Sequence, residues 1–191
     1  PQGLWTKNPE AEKASHISHF LSDPAIRVAA WSNRMHSPTW AARPNAGHRA
    51  LVDLEHSGRL LALLTQNIDG LHQLAGSDPA LVVEVHGTMR EVVCMSCGDR
   101  NPIEHAFQRV RDGEPDPPCL VCGGILKSAT VSFGQSLLHE DLARADQAAR
   151  DCDLLLAVGT TLAVHPIADV VPLAASHGAR VIVVNGEPTE M

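Results

Sequence analysis

Three patterns in the sequence predict an α/β fold in which a parallel β-sheet is interrupted by a smaller inserted module. Residues 153–158, a tight loop at Gly159–Thr160–Thr161, a helical stretch over 166–177 and residues 180–184 make a complete strand–helix–strand unit whose two strands both read as buried. Such a unit pairs its strands in parallel through a right-handed crossover. Residues 60–64 and 82–85 are short, continuous apolar runs, the pattern of strands covered on both faces. Cys94-x2-Cys97 and Cys119-x2-Cys122, with 21 residues between the pairs, are two knuckles of the kind that meet in a tetrahedral zinc site. Together these predict a Rossmann-like parallel sheet with a smaller zinc-binding plus helical domain inserted.

The helices follow from spacing and punctuation. Over 24–35, Ile26, Ala29 and Ala30 share a face. Residues 46–57 place Ala50, Leu51 and Leu54 on one side, with Gly58 as the stop. Leu142, Ala145 and Ala149 lie near helical spacing over 140–150. Pro166 suits a first turn and Gly178 a helix end. Residues 129–133 read as a further strand, and 94–127 as the excursion that carries the cysteines.

Composition bounds the function. At 191 residues, the chain can build one good core plus a satellite module, or two small domains. Hydrophobic residues are 44%, ordinary for a globular protein, and no run reaches the roughly 18 to 20 apolar residues of a membrane span. The first ten residues carry no secretory pattern, so the expected location is cytoplasmic. The net charge of −7, from 15 basic and 22 acidic residues, argues against broad nucleic-acid binding and is compatible with a cationic peptide partner. The oligomeric state is not legible. The chain does not open on Met, and it stops at Met191 just after a strand-and-loop pattern. The expectation is that it lacks both of its natural ends.

Two residues between thiolates set both sulfurs of a pair on one side of a turn, and Gly98 and Gly123 let the backbone fold back toward them. The alternative is two disulfides of a secreted domain. Four thiolate ligands make a closed site, so such a zinc holds a fold and does no chemistry. Cys152, beside an apolar run, reads as a small buried hydrophobe.

In open parallel sheets, ligands sit beyond the carboxyl ends of the strands. Four clusters fall there. Gln66, Asn67 and Asp69 follow the first strand, with amides and a carboxylate suited to a nucleotide's hydroxyls and carboxamide. His86-Gly87 follows the second, and a histidine, which titrates near neutral pH, is a candidate general base there. Gly159, Thr160 and Thr161 offer a small loop with hydroxyls and N–H groups, an anion or ribose cradle. Asn185 and Glu187 follow the last strand, where a carboxylate commonly takes a ribose diol. Each cluster alone has a bland reading, since polar residues after strands often only cap loops.

In order, Thr65-Gln-Asn-Ile-Asp-Gly-Leu-His72, Glu84-Val-His-Gly87, the two cysteine pairs, Val131-Ser-Phe-Gly134, Gly159-Thr-Thr-Leu162 with Val164 and Pro166, and Val184-Asn-Gly-Glu187 resemble the motif series of sirtuins. Pro44-Asn-Ala-Gly-His48 and the opening Pro1–Trp5 resemble family stretches as well. The resemblance implies an NAD-dependent protein lysine deacylase, which expels nicotinamide and passes the acyl group of a modified lysine to ADP-ribose. It implies that Asn67 and Asp69 line the nicotinamide pocket with Ile68, that Gln66 positions ribose hydroxyls, and that His86 is the general base. Gly159, Thr160, Thr161, Asn185 and Glu187 would hold the adenosine half. Val131, Phe133, Gly134 and Val164 would sandwich an acyl-lysine peptide as an added strand. The domain division implied is 1–43 as helical and cofactor-loop part of the small domain, 44–93 as the first part of the Rossmann-like domain, 94–127 as the zinc module, and 128–191 as the second part.

The departures are a Gly-Ala-Gly-x-Ser segment and an Asp-Phe-Arg motif, neither found in these residues, Gln135 where Glu is frequent and Thr161 where Ser is common. Without the glycine-rich strand the sheet would have a gap and an exposed edge, and these 191 residues alone are expected to be inactive. Trp31 and Arg34 have the three-residue spacing of the Tyr and Arg by which some relatives choose acidic acyl chains, but the chain has no Tyr. The favoured reading is a packed Trp beside a solvated Arg, with acetyl-lysine as the default substrate. Two alternatives stand: a protein ADP-ribosyltransferase of the same family, and a non-catalytic zinc-stabilised module that binds a nucleotide or peptide.

Overall fold

The computed structural model describes residues 16–186 and Thr189. Along the chain run α1 (Ile17–Ser22), α2 (Pro24–Met35), a 3-10 turn (Pro38–Ala41), α3 (Ala46–His56), β1 (Leu63–Thr65), α4 (Leu71–Ala75), β2 (Val82–Glu84), β3 (Gly87–Cys94), β4 (Arg100–Pro102), α5 (Ile103–Arg111), β5 (Leu126–Thr130), α6 (His139–Asp151), β6 (Leu154–Val158), a second 3-10 turn (Ile167–Asp169), α7 (Val170–Ser176) and β7 (Arg180–Val184). The chain divides into two compact units. One holds Pro1–Arg43, Asn67–Leu71 and His86–Ser136, the other Pro44–Gln66, His72–Val85 and Leu137–Met191. Among the described residues, no helix is long and apolar enough to cross a membrane.

The first unit is built on an antiparallel sheet in the order β4-β3-β5. Strand β5 starts at Leu126, earlier than the expected 129, because β3 is its template: Cys94 faces Leu126, Val93 faces Lys127 and Val92 faces Ser128. The core packs Trp31, Val92, Cys94, Ile103, Ala106, Phe107, Cys119 and Leu126, with Met35, Trp40 and Val110 at its margin. Helix α2 is started by Asp23, whose side chain accepts from Ala25 N at 2.8 Å, with Pro24 in the first turn. Its buried face is Arg27 and Trp31, not the expected Ile26, Ala29 and Ala30. Arg27 can be buried because its charge is answered: Nε donates to Asp116 at 2.8 Å, and Nη1 to the carbonyls of Phe20 and Leu21. Trp31 is packed as expected, at 2% exposure. Arg34 is half-buried rather than solvated, and burial lowers its pKa.

The second unit holds two parallel strand pairs. β1 pairs with β2 from Leu63↔Val82 to Thr65↔Glu84, and β6 with β7 from Leu154↔Arg180 to Val158↔Val184. Parallel pairing is as the sequence predicts. So is the gap: among the described residues the pairs form two separate sheets. The core runs through Val83, Val85, Ala145, Ala149, Ala157, Leu162, Ile167, Val170, Val171 and Ala174. Ala145, Ala149 and Ala174 keep the packed faces of α6 and α7 small, which lets helix axes approach closely. Leu155 and Ala157 on β6 turn toward this core, whereas Leu154, Leu156 and Val158 are exposed, as are Ile182, Val183 and Val184 on β7. The expectation that these two strands are buried is therefore corrected: a continuous apolar run gives a covered strand only where an element lies on each face. The expected helix over 166–177 is a 3-10 turn followed by the shorter α7, since Pro172 has no N–H to extend the ladder backward. Cys152 is half-buried, with its thiol at 3.5 Å from the carbonyl of Ala149.

Candidate functional site

The cysteines come together at the end of the central strand of the first unit's sheet. Cys94 ends β3, and the chain turns at once: Gly98 N–H donates to the Cys94 carbonyl at 3.0 Å, and Cys94 N–H to the Asp99 carbonyl at 2.8 Å. The second knuckle repeats this turn, with Gly123 N–H to the Cys119 carbonyl at 2.8 Å. Gly98 and Gly123 take φ of 75° and 73°, a region disfavoured for residues with a Cβ. The four sulfurs lie within 4.8 Å of one another, with Cys94–Cys122 at 3.5 Å and Cys97–Cys119 at 3.8 Å. A tetrahedron of zinc–sulfur bonds of about 2.3 Å has edges of about 3.8 Å, so this donor set fits zinc. No sulfur–sulfur bond joins them, which sets the disulfide alternative aside. N–H groups of Ser96, Cys97 and Val121 point at sulfurs from 3.4–3.5 Å and offset thiolate charge.

The charge balance of the cluster calls for a cation. The Cys97 N–H, with help from Ser96 and neighbouring thiols, brings Cys94 down to about 6. Asp99 N–H also favours the Cys97 thiolate, yet the crowding thiols and burial push that group up to about 12. One thiolate forms readily and a second is resisted, which is the electrostatic situation that a divalent ion relieves.

The polar residues expected beyond the strands divide between the units. Asn67, Ile68, Asp69 and His86 belong to the first unit with Val131, Phe133 and Gly134; Gln66, Gly159, Thr160, Thr161, Val164 and Asn185 belong to the second. Glu187 lies outside the described residues.

In the first unit, Asn67 is exposed, and Ile68 and Asp69 are half-buried. Asp69 Oδ1 accepts from Leu71 N–H at 2.9 Å and fixes the start of α4. The Ile68 carbonyl accepts from Met89 N–H at 2.8 Å, and the Asp69 carbonyl from Arg90 Nε at 3.0 Å. His86 is half-buried, and its carbonyl accepts from Val131 N–H at 2.8 Å. Gly87, with φ 72°, is where β3 and β5 pass closest: a Cβ there would sit under 3.0 Å from the Ala129 carbonyl oxygen. Past β5, Phe133 is exposed and its carbonyl accepts from Ile17 N–H at 2.9 Å. Gly134 has φ 74° and lies under the His16 ring. Gln135 N–H donates to the Ser132 carbonyl at 3.0 Å, while its side-chain oxygen accepts from Ser132 N–H at 3.2 Å.

In the second unit, the loop after β6 is braced by β7. Gly159 N–H donates to the Val184 carbonyl at 2.9 Å, and Asn185 Nδ2 to the Thr160 carbonyl at 3.0 Å. Thr160 Oγ1 accepts from Leu162 N–H at 3.2 Å. Thr161 and Val164 are exposed. Gln66 is half-buried directly after β1.

Sequence reasoning missed Arg90 and Trp40. The Arg90 guanidinium lies 5.8 Å from the Trp40 ring centroid. Its only sequence signal is Gly70, which leaves room for it: a Cβ at Gly70 would meet Arg90 Nε under 3.0 Å.

The Sir2 family model matches residues 1–166. NAD-dependent protein deacetylase 2 of Streptomyces coelicolor is 49% identical over 189 residues, covering 99% of this chain and 78% of the relative. NAD-dependent protein deacetylase 1 of Bradyrhizobium diazoefficiens is 38% identical over 193 residues, covering 100% of this chain and 74% of the relative. Among solved structures, Sir2 with a p53 peptide and NAD+ is similar at 28% identity and TM-score 0.84, covering 100% of this chain and 75% of that one. A second, solved for the mechanism and regulation of Sir2 enzymes, is similar at 36% identity and TM-score 0.82, covering 99% and 73%.

Proposed function

The chain belongs to the Sir2 family, and from that premise we propose that it is an NAD-dependent protein lysine deacylase with acetyl-lysine as its default substrate. NAD would supply the ADP-ribose that accepts the acyl group and the nicotinamide that leaves. The other product is free lysine, and one water is consumed to balance the transfer.

One observation carries the site assignment. Three segments read as functional are rooted on the same end of β3: Met89 N–H and Arg90 Nε hold the carbonyls of Ile68 and Asp69, His86 is the residue before β3, and Val131 N–H bonds the His86 carbonyl. We assign His86 as the general base that takes a proton from a ribose hydroxyl. Asp69 supplies a carboxylate, and Asn67 an amide, to the group from which nicotinamide departs. Positive charge develops there, and fixed negative charge lowers the barrier. Gln66, Ile68, Gly159, Thr160, Thr161, Asn185 and Glu187 are assigned to NAD. Val131, Phe133, Gly134 and Val164 are assigned to the acyl-lysine peptide, held by main-chain bonds that give affinity with little sequence selectivity. Zinc on Cys94, Cys97, Cys119 and Cys122 holds the module and takes no part in the chemistry. The domain division 1–43, 44–93, 94–127 and 128–191 remains part of this reading, as does a cytoplasmic location, where thiols stay reduced.

The test uses full-length protein with NAD and an acetyl-lysine peptide, following nicotinamide and free-lysine peptide by mass spectrometry, beside His86→Ala. Equal release of both, lost in the variant, is the expected result. Nicotinamide without deacylated peptide would point to ADP-ribosyl transfer. No consumption of NAD with any acyl peptide would leave a zinc-stabilised binding module.

A further inference from the structure

We propose that Arg90 is a positioning residue for the Asn67–Asp69 loop, tying it through Trp40 to the core of the zinc module. The inference rests on the deacylase reading for what that loop does. It stands on geometry confined to the first unit.

A short loop that must present an amide and a carboxylate needs its backbone held from outside. Three bonds meet on this one. Asp69 Oδ1 accepts from Leu71 N–H, the Ile68 carbonyl from Met89 N–H, and the Asp69 carbonyl from Arg90 Nε. The first is made by the loop's own Asp69 side chain, and the second is a backbone–backbone bond that many sequences could make. The third is a charged side-chain donor, the stronger kind, and Gly70 is shaped to it. Gly70 is buried, with φ 67°, and any Cβ there would collide with Arg90 Nε and Cδ.

The far side of Arg90 is braced in turn. Its guanidinium lies 5.8 Å from the centroid of the Trp40 ring, a distance at which a cation is drawn to the ring. Trp40 is fixed at both ends. Nε1 donates to the Arg34 carbonyl at 2.7 Å, and the ring meets Phe107 edge-on with centroids 5.7 Å apart. Phe107 lies in the cluster that contains Cys94 and Cys119. An unbroken series of contacts thus runs from the Asp69 backbone, through Arg90, Trp40 and Phe107, to two zinc ligands. His86 is not on it, so the series acts on the loop and not on the base.

Two substitutions separate the elements of this claim. Arg90→Lys keeps a cation over Trp40 but puts a methylene where Nε was, so the bond to Asp69 is lost. Arg90→Ala loses both. The expected result is that both variants lower kcat/KM for NAD by roughly 10- to 100-fold, the range of a hydrogen bond to a charged group. KM for the peptide should stay within about 2-fold, and inhibition by added nicotinamide should weaken in step. Trp40→Phe, which keeps a ring, should lose less than Trp40→Leu. Arg100→Ala, an exposed partner of Glu91 on the neighbouring strand, serves as the control. Hydrogen exchange at residues 68–71 is read in the same proteins and does not depend on turnover: it should speed up at least 10-fold in both Arg90 variants while the rest of β3 stays protected. Arg90→Lys behaving as wild type, equal losses for NAD and peptide, or unchanged exchange over 68–71 would each overturn the proposal. Faster exchange in variants of a wild-type protein that consumes no NAD would instead keep the brace and sink the deacylase reading.

Discussion

Replacing Gly87 by Ala tests whether the backbone at the start of β3 sets the position of His86. Gly87 holds φ 72°, which costs a residue with a Cβ about 1–2 kcal/mol. The new methyl would also stand under 3.0 Å from the Ala129 carbonyl oxygen, with Thr130 Cα at 3.2 Å. Backbone on the partner strand cannot rotate away, so the strands must part. The Gly87↔Thr130 pairing and the bond from Val131 N–H to the His86 carbonyl are lost with that movement, at about 1 kcal/mol each. The expected total is about 3–4 kcal/mol. Gly98→Ala is the matched control: its φ is 75°, and nothing lies within 4 Å of the added carbon, so it should lose only the conformational 1–2 kcal/mol. Urea unfolding of zinc-loaded protein measures both. Where Gly87→Ala still folds, nicotinamide release should fall about 100-fold, the effect of displacing a reacting group by about 1 Å. Equal losses for the two variants, or a Gly87→Ala enzyme of normal rate, would refute the close approach as the device that places His86.

Arg27→Met should cost about 3 kcal/mol in the same assay, because it leaves Asp116 and two carbonyls without their donor. A double-mutant cycle with Asp116→Asn should show a coupling above about 1 kcal/mol; additive losses would mean the pair is idle. Lys127 is 3% exposed and donates to the carbonyls of Ser128 and Thr130; burial, with the Arg34 charge, lowers its pKa from 10.5 to about 8. Between those values the unfolded chain keeps a proton that the folded one has released, so stability should rise as pH climbs from about 8 to 10.5. Lys127→Met should remove that rise, and a flat wild-type profile would count against the lowered pKa. Stripping the metal with a chelator should release one zinc per chain and red-shift Trp31 fluorescence, since Trp31 packs with Cys94 and Cys119; zinc loss without a spectral change would show the core standing without the ion.

The cysteine cluster was legible because its residue types are unusual where they stand. Two Cys-x2-Cys pairs followed by Gly leave few geometries for a tight turn, and all four sulfurs converge as the spacing predicts. The strand–helix–strand unit at the C-terminal end has its parallel register from Leu154↔Arg180 to Val158↔Val184, because apolar runs of matching length bracket a helix. Other features follow from partners distant in sequence. The buried face of α2 is legible only once Asp116 is known to answer Arg27, 89 positions away. The start of β5 is decided by its register with β3. Arg90 reads as one charge in a polar stretch until Gly70, Asp69 and Trp40 surround it.

By itself, the sequence determined what depends on local chemistry: the zinc ligands, the helix and strand types, the parallel pairs, and the motif order that places the chain in its family. Only the tertiary structure decided which faces are covered and which side chains hold the Asn67–Asp69 loop. The physical reason is range. Propensity, turn conformation and ligand spacing act over a few residues and leave their mark in the string of letters. Burial and charge compensation depend on whatever the fold brings alongside, and a neighbour 20 or more positions away in the chain leaves no periodic trace.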